Sequence, residues 1–375
     1  MSLRGLWQGV RAGGAASLLL ALAGVVLSSR MATADPPRGA PVTTPPVAAQ
    51  GWTVKGWQIE WPTPNQGFIQ GANLSTWIQD TGTGDPHSGL FGCVRDDGHK
   101  FHEGIDIKCV QRDRTGEPVD PVYAAMAGKV AYISNLPGNS SYGRYIVLEH
   151  PGADTPVYTL YAHLSAIQPG LAVGQLVTAG QTIGKMGHSA VPAIPKERAH
   201  MHFEVGVRLT DNFQPWYDAK KFGSPNVHGL YNGLNLTAFD ELAFFEAVKA
   251  GKFHGFASYI RGLPTAFTLR VTTHEVPDFV SRYPGLLTKP VPKGGVEGWD
   301  VDFTWYGLPK QWTPLGAGVP GLGKPGAIAL VSYDPKAAAE CNCRETLLYD
   351  AAKPTAAPKI GPELRDDLKL LFGFK

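Results

Sequence analysis

Between residues 118 and 208 the chain is a succession of short β-branched and aromatic runs punctuated by Gly and Pro. They read PVYAAMAGKVAYIS, RYIVLEH, VYTLYAHLS and QTIGKMG, and AHMHFEV closes the series. Runs of about four to eight residues rich in Val, Ile and Tyr and bounded by turn formers are strand signals. No helical period separates them, so the economical arrangement is an antiparallel sheet rather than a parallel one with crossover helices. The 45 Gly and 31 Pro of the 375-residue chain likewise favour turns and short strands. A mainly β fold follows.

The flanks differ from this stretch. WTVKGWQIEWP, from Trp52, reads as a strand with both faces partly covered. Around residue 238 the texture changes, and AFDELAFFEAVKAGKF places its apolar residues at helical spacing. FTLRVTTHEV, GWDVDFTWYG and AIALVSYD read as strands again, and GPELRDDLKLLFGF ends the chain with a short helix. This pattern sets a boundary near residue 225, with a domain over 51–225 and a smaller α+β region over 226–375.

The first 34 residues read as a secretory signal peptide. Arg4 and Arg11 make a basic start, Ala15 to Leu27 an apolar run, and Ala32-Thr33-Ala34 a cleavage site of small residues. The alternative is an uncleaved anchor, but the apolar run is short for a membrane span. No cysteine follows it, so nothing supports a lipoprotein anchor. Residues 35–50, DPPRGAPVTTPPVAAQ, form a Pro-rich linker. Removing residues 1–34 takes Lys+Arg from 34 to 31 against 32 acids, and the formal charge from +2 to −1. A near-neutral mature chain offers no electrostatic case for nucleic acid. The expectation is a secreted or periplasmic protein with no membrane span after cleavage.

Candidate chemistry comes from three strand-like segments. In AHMHFEV the strand period of two puts His200, His202 and Glu204 on one face and Met201 and Phe203 on the other. In HEGID, His102 and Asp106 stand four apart, and Gly104 between them argues for a strand or turn. An imidazole and a carboxylate on one face suit a divalent transition metal, zinc foremost. In YTLYAHLS, alternation groups His163 with Thr159, Tyr161 and Ser165. Each segment alone has a plain alternative: a polar strand face, a surface hydrogen bond, a structural histidine.

The ordered set HEGID, YAHLS, HMHFEV, with PVYAAMAGKVAYI and GQLVTAGQTIGKMG between, resembles the M23 family of zinc metallopeptidases. These are lysostaphin-like or LytM-type endopeptidases that cut peptide cross-links of bacterial cell walls. The resemblance covers roughly residues 90–210. It implies an antiparallel β-sheet peptidase domain, with His102, Asp106 and His202 as zinc ligands. His163 and His200 are then the catalytic pair beside the metal, and peptidoglycan peptides are the substrate. Either histidine can be the general base, and Glu204 either orients an imidazole or is a solvated strand-end acid.

One departure concerns the stretch before the His-x-His pair. The family carries a short Gly-rich loop there, whereas GHSAVPAIPKERAHMH is longer, apolar and charged. His188 in it, and His99 near His102, read as plain loop histidines. Cys93, Cys109, Cys341 and Cys343 allow disulfides in an exported chain. Cys93–Cys109 and Cys341–Cys343 are the nearest pairings among three connectivities. Trp299, Trp305 and Trp312 either stack on glycan rings or belong to a core. Two other functions fit the same resemblance: a non-catalytic wall-binding or regulatory protein, and an endopeptidase of Gly-rich proteins.

Overall fold

The computed structural model describes residues 49–151, 155–338, 343–349 and 356–373. The signal peptide and nearly all of the Pro-rich linker lie outside the described residues. In chain order, β1 (Gly51–Val54) and β2 (Trp57–Glu60) form a hairpin, and β3 (Gly92–Arg95) and β4 (Lys100–His102) form a second ribbon. There follow β5 (Ile105–Lys108), β6 (Pro121–Tyr123), β7 (Gly128–Ser134), β8 (Tyr145–His150) and β9 (Val157–Ala162). Next come β10 (Ala166–Ile167), β11 (Leu176–Val177), β12 (Thr182–Lys185), β13 (His200–Arg208), α1 (Phe213–Lys220) and β14 (Leu236–Ala238).

The central sheet has the order β11-β7-β8-β9-β13-β14, and β5 pairs with β13 as well. Every pairing in it is antiparallel. A small sheet, β10-β12-β6, lies apart from this path. The strands expected between residues 118 and 208 therefore form, and the domain is mainly antiparallel β. WTVKGWQIEWP is a hairpin rather than one strand. Lys55 and Gly56 both have positive φ, 50° and 87°, the combination that a two-residue hairpin turn requires.

Strand β13 carries the site on one face and the core on the other. Met201, Phe203, Val205 and Val207 are fully buried beneath the sheet. The helix foreseen after residue 238 is α2 (Glu241–Lys249), capped by Asp240, whose carboxylate accepts the Ala243 N–H at 3.0 Å. Its Phe244, Phe245 and Val248 close over that underside, with the Phe245 ring 5.7 Å from Phe203. Full burial of one such aromatic contributes roughly 1.5–3 kcal/mol.

A division at residue 225 does not mark a break in this packing. β14 hydrogen-bonds to β13, and one continuous core runs from the sheet through α2 and α3 (Phe256–Gly262). The core extends further into a four-stranded sheet of β15 (Phe267–Thr272), β16 (Gly298–Phe303), β17 (Pro309–Leu315) and β18 (Ile328–Tyr333). An apolar sheet face needs a cover, and the residues after 225 supply it. The order β17-β16-β15-β18 puts Pro309 and Pro314 on an edge strand, where a missing N–H costs least. A final helix, Pro362–Phe372, completes the described chain. Trp299 and Trp312 are core residues, each no more than 1% exposed.

Candidate metal centre

His102 and Asp106 do not share one strand. β4 pairs with β3, β5 pairs with β13, and the chain bends between them at Glu103–Gly104. The bend passes close over β13. A Cβ on Gly104 would lie 2.3 Å from the Phe203 carbonyl oxygen and 3.0 Å from the His202 ring. Only glycine permits that approach. On β13, His202 stands directly opposite Asp106 on one side and Ala162 of β9 on the other.

Three ligand atoms converge as a result. His102 Nε2 lies 3.0 Å from His202 Nδ1 and 3.2 Å from Asp106 Oδ1, and His202 Nδ1 lies 3.1 Å from the same oxygen. All three residues are buried, and among the described residues they are the group suited to hold a metal ion. Each imidazole is fixed from behind. His102 Nδ1–H donates to the Leu90 carbonyl at 2.8 Å, because a carbonyl only accepts, which leaves Nε2 as an acceptor facing the cluster. His202 Nε2 meets Glu204 Oε1 at 2.9 Å. Glu204 is held in turn by the hydroxyls of Tyr142, at 2.5 Å, and Tyr158, at 2.8 Å. Of the two readings open for Glu204, a solvated acid fails, since it is 1% exposed.

His163 and His200 flank the cluster, their rings 4.8 Å apart at the centroids, and His163 lies 5.8 Å from the His202 ring. The Nδ1–H of His163 donates to the Ser189 carbonyl at 3.0 Å and that of His200 to the Arg198 carbonyl at 2.7 Å. Both present Nε2 as an acceptor, and His200 Nε2 lies 3.6 Å from Asp106 Oδ1. Alternation does not place His163 as expected. Thr159 and Tyr161 share the opposite face of the sheet, with Tyr161 against Phe203 in the core. His163 lies past the end of β9 with φ of 60°, and this left-handed residue swings the imidazole back to the site.

Burial sets the direction of the shift at His102, His163 and His200, and neighbouring groups reverse it at Asp106 and His202. His102 is pushed by burial down to about 3, with Arg95 adding to the effect and Asp106 opposing it. Burial, then His200 and His202, hold His163 well below the usual range, and burial lowers His200 too. For Asp106, burial alone would raise the carboxyl, but its electrostatic interactions with His102, His200 and the Arg95 guanidinium outweigh it and hold it well below 3.8. For His202, burial would lower the imidazole, but Asp106 and Glu204 raise it to about 9.

All five histidine and aspartate positions expected from the sequence thus meet in one place. His188 does not: it bonds to the Ile194 carbonyl and to Glu117, away from the cluster. His99 is exposed on the β3–β4 turn. Sequence reasoning missed Arg95, Tyr142 and Tyr158. The parity of Tyr158 with Leu160 and Ala162 was a usable signal, because this face of β9 adjoins His202. The β3–β4 ribbon is fastened to the C-terminal region by a Cys93–Cys343 disulfide, so neither nearest pairing forms. Cys109 is a buried free thiol, and Cys341 lies outside the described residues. Trp305 packs on Phe101 and Tyr306 on Phe91 beside that link.

Residues 100–215 match Peptidase family M23. This stretch of the chain is similar to an M23 peptidase domain. The chain is 34% identical over 110 residues to the uncharacterized lipoprotein YgeR of Escherichia coli (strain K12), a match covering 29% of this chain. The chain spans 36% of the length of that curated relative, about a third. Among solved structures it is similar to the catalytic domain of the antimicrobial peptidase lysostaphin from Staphylococcus simulans. That match has 20% identity and a TM-score of 0.26, covering 42% of this chain and 87% of the other. It is also similar to the catalytic domain of the prophage-encoded M23 protein EnpA from Enterococcus faecalis. There the identity is 23% and the TM-score 0.22, with 28% of this chain and 67% of the other covered. The matched stretch contains all five cluster residues, from His102 to His202. No helix among the described residues is long and apolar enough to cross a membrane.

Proposed function

We propose that this chain is an exported zinc endopeptidase that hydrolyses the peptide cross-links of bacterial peptidoglycan. The observation that carries the reading is the convergence of three buried ligand atoms beside two neutral imidazoles. Two nitrogens and one carboxylate oxygen suit a borderline divalent ion, and three protein ligands leave a coordination position for chemistry. His102, Asp106 and His202 would hold the ion. Bound there, zinc supplies Lewis acidity and a water acidic enough, with pKa near ~7, to be a nucleophile at neutral pH.

The chain's own residues do the rest. His163 and His200 present Nε2 with a free lone pair, and their depressed basicity keeps them unprotonated at neutral pH. One accepts the proton of the attacking water and passes it to the leaving amine. The other, an acceptor at Nε2 because its Nδ1–H is committed to a backbone carbonyl, would orient that water through its second O–H. Glu204 locks the orientation of His202 from behind. Export is supported by the basic, apolar and small-residue sequence of residues 1–34.

Zinc content and digestion of purified peptidoglycan test the reading, with an elastin-like protein as a parallel substrate. The expected result is about one zinc per chain and solubilised wall peptides, both lost in His102→Ala. Wall digestion by His102→Ala would overturn the ligand assignment. Cleavage of the elastin-like protein alone would overturn the substrate.

A further inference from the structure

Arg95 ends β3, on the ribbon that also carries His102. In that ribbon Gly92 pairs with His102 and Cys93 with Phe101. The register then slips, so that Arg95 pairs with Lys100 and Val94 is left over as a bulge. A bulge re-aims the side chain that follows it. Here it turns the Arg95 guanidinium inward, over the ligand cluster. Nη2 lies 2.5 Å from Asp106 Oδ2 and 2.6 Å from His102 Nε2. The Arg95 side chain as a whole is 26% exposed, and its Nε is buried with no hydrogen-bond partner.

His102 has a single lone pair to offer. Its Nδ1–H is committed to the Leu90 carbonyl, so Nε2 accepts either an Arg95 N–H or a metal ion, and never both. Asp106 is less restrictive, because Arg95 engages Oδ2 while Oδ1 faces the two histidines. From this geometry, and resting on the zinc reading above, we infer that Arg95 is a resident cation of the metal-free site. It competes with the ion for His102 and must swing outward before the ion is held. The guanidinium satisfies the Asp106 charge when no ion is bound.

The test is zinc affinity by chelator competition on the full mature chain, for wild type, Arg95→Met and Arg95→Lys. Release of a competitor predicts at least tenfold tighter zinc binding in Arg95→Met. Arg95→Lys keeps a charge without the fork that reaches both residues, and falls between. Equal affinity in all three chains would overturn the inference and leave the metal reading standing. Weaker binding in Arg95→Met would also overturn it, because Arg95 would then be an outer partner that supports the bound ion. No zinc uptake by any of the three would overturn the metal reading and this inference together.

Discussion

His202 and Glu204, two residues apart on β13, meet through Nε2 and Oε1 at 2.9 Å, and two tyrosine hydroxyls hold the same carboxylate. A ligand imidazole backed by a carboxylate has a fixed ring orientation and greater basicity. Glu204→Gln retains the shape but weakens the hold on the ring. Its zinc affinity is expected to fall by about 10–100-fold with the fold intact. Chelator competition alongside circular dichroism checks this. Unchanged affinity would show that Glu204 only fills the space beneath the tyrosines.

Gly104 is a second position from which the cluster can be disturbed without touching a ligand. A Cβ added there would meet the Phe203 backbone at 2.3 Å and the His202 ring at 3.0 Å. Backbone yields less readily than a flexible side chain, so Gly104→Ala must push β4–β5 away from β13. The expected cost is about 1–3 kcal/mol of stability, as for other overpacked sites. Zinc affinity should drop with it, because His102 and Asp106 bracket the bend. Denaturant unfolding and metal competition measure the two effects. A variant with wild-type affinity would mean that the ribbon moves freely relative to β13.

The histidines were legible in the sequence because chemistry and strand period coincide there. His200 and His202 fall on one face of a regular strand, and the five positions keep their order along the chain. What was hidden depends on departures from regularity. His163 reaches the site through a left-handed residue past the end of its strand, where alternation points to the core. Arg95 arrives through a bulge, and Tyr142 from a loop. The Cys93–Cys343 link spans 250 residues. Nothing local distinguishes it from a nearer pairing. The unity of the core was hidden as well, because covering the underside of β13 is a tertiary requirement that no composition shift near residue 225 records.

That long disulfide is expected to matter for both stability and the site. It joins β3, which carries Arg95, to a C-terminal region that also sets Trp305 against Phe101 and the Arg344 guanidinium over the same ring at 5.0 Å. Cys93→Ser should lose about 2–5 kcal/mol in urea unfolding under oxidising conditions. Cys109→Ser, at the buried free thiol, should change far less. Equal losses in the two variants would contradict this connectivity.

A buried histidine outside the cluster sets an acid limit on the fold. His150, 1% exposed, gives its Nδ1–H to the Ala127 carbonyl at 2.9 Å, and its Nε2 meets the Thr159 hydroxyl at 2.7 Å. Burial pushes its imidazole down to about 4, against a small opposing effect of the Ala127 carbonyl and Glu149. The unfolded chain, with an ordinary imidazole near 6.5, therefore binds the extra proton first. Stability from this group is full above about pH 6.5 and is lost as pH falls toward 4. The loss amounts to a few kcal/mol, since each tenfold difference in proton affinity is worth about 1.4 kcal/mol. In His150→Gln that proton-linked component is gone. Its stability, followed by urea unfolding at four pH values between neutrality and the acid limit, should fall less steeply than that of wild type. Parallel curves for the two proteins would mean that His150 is protonated in the folded chain at the same pH as in the unfolded one.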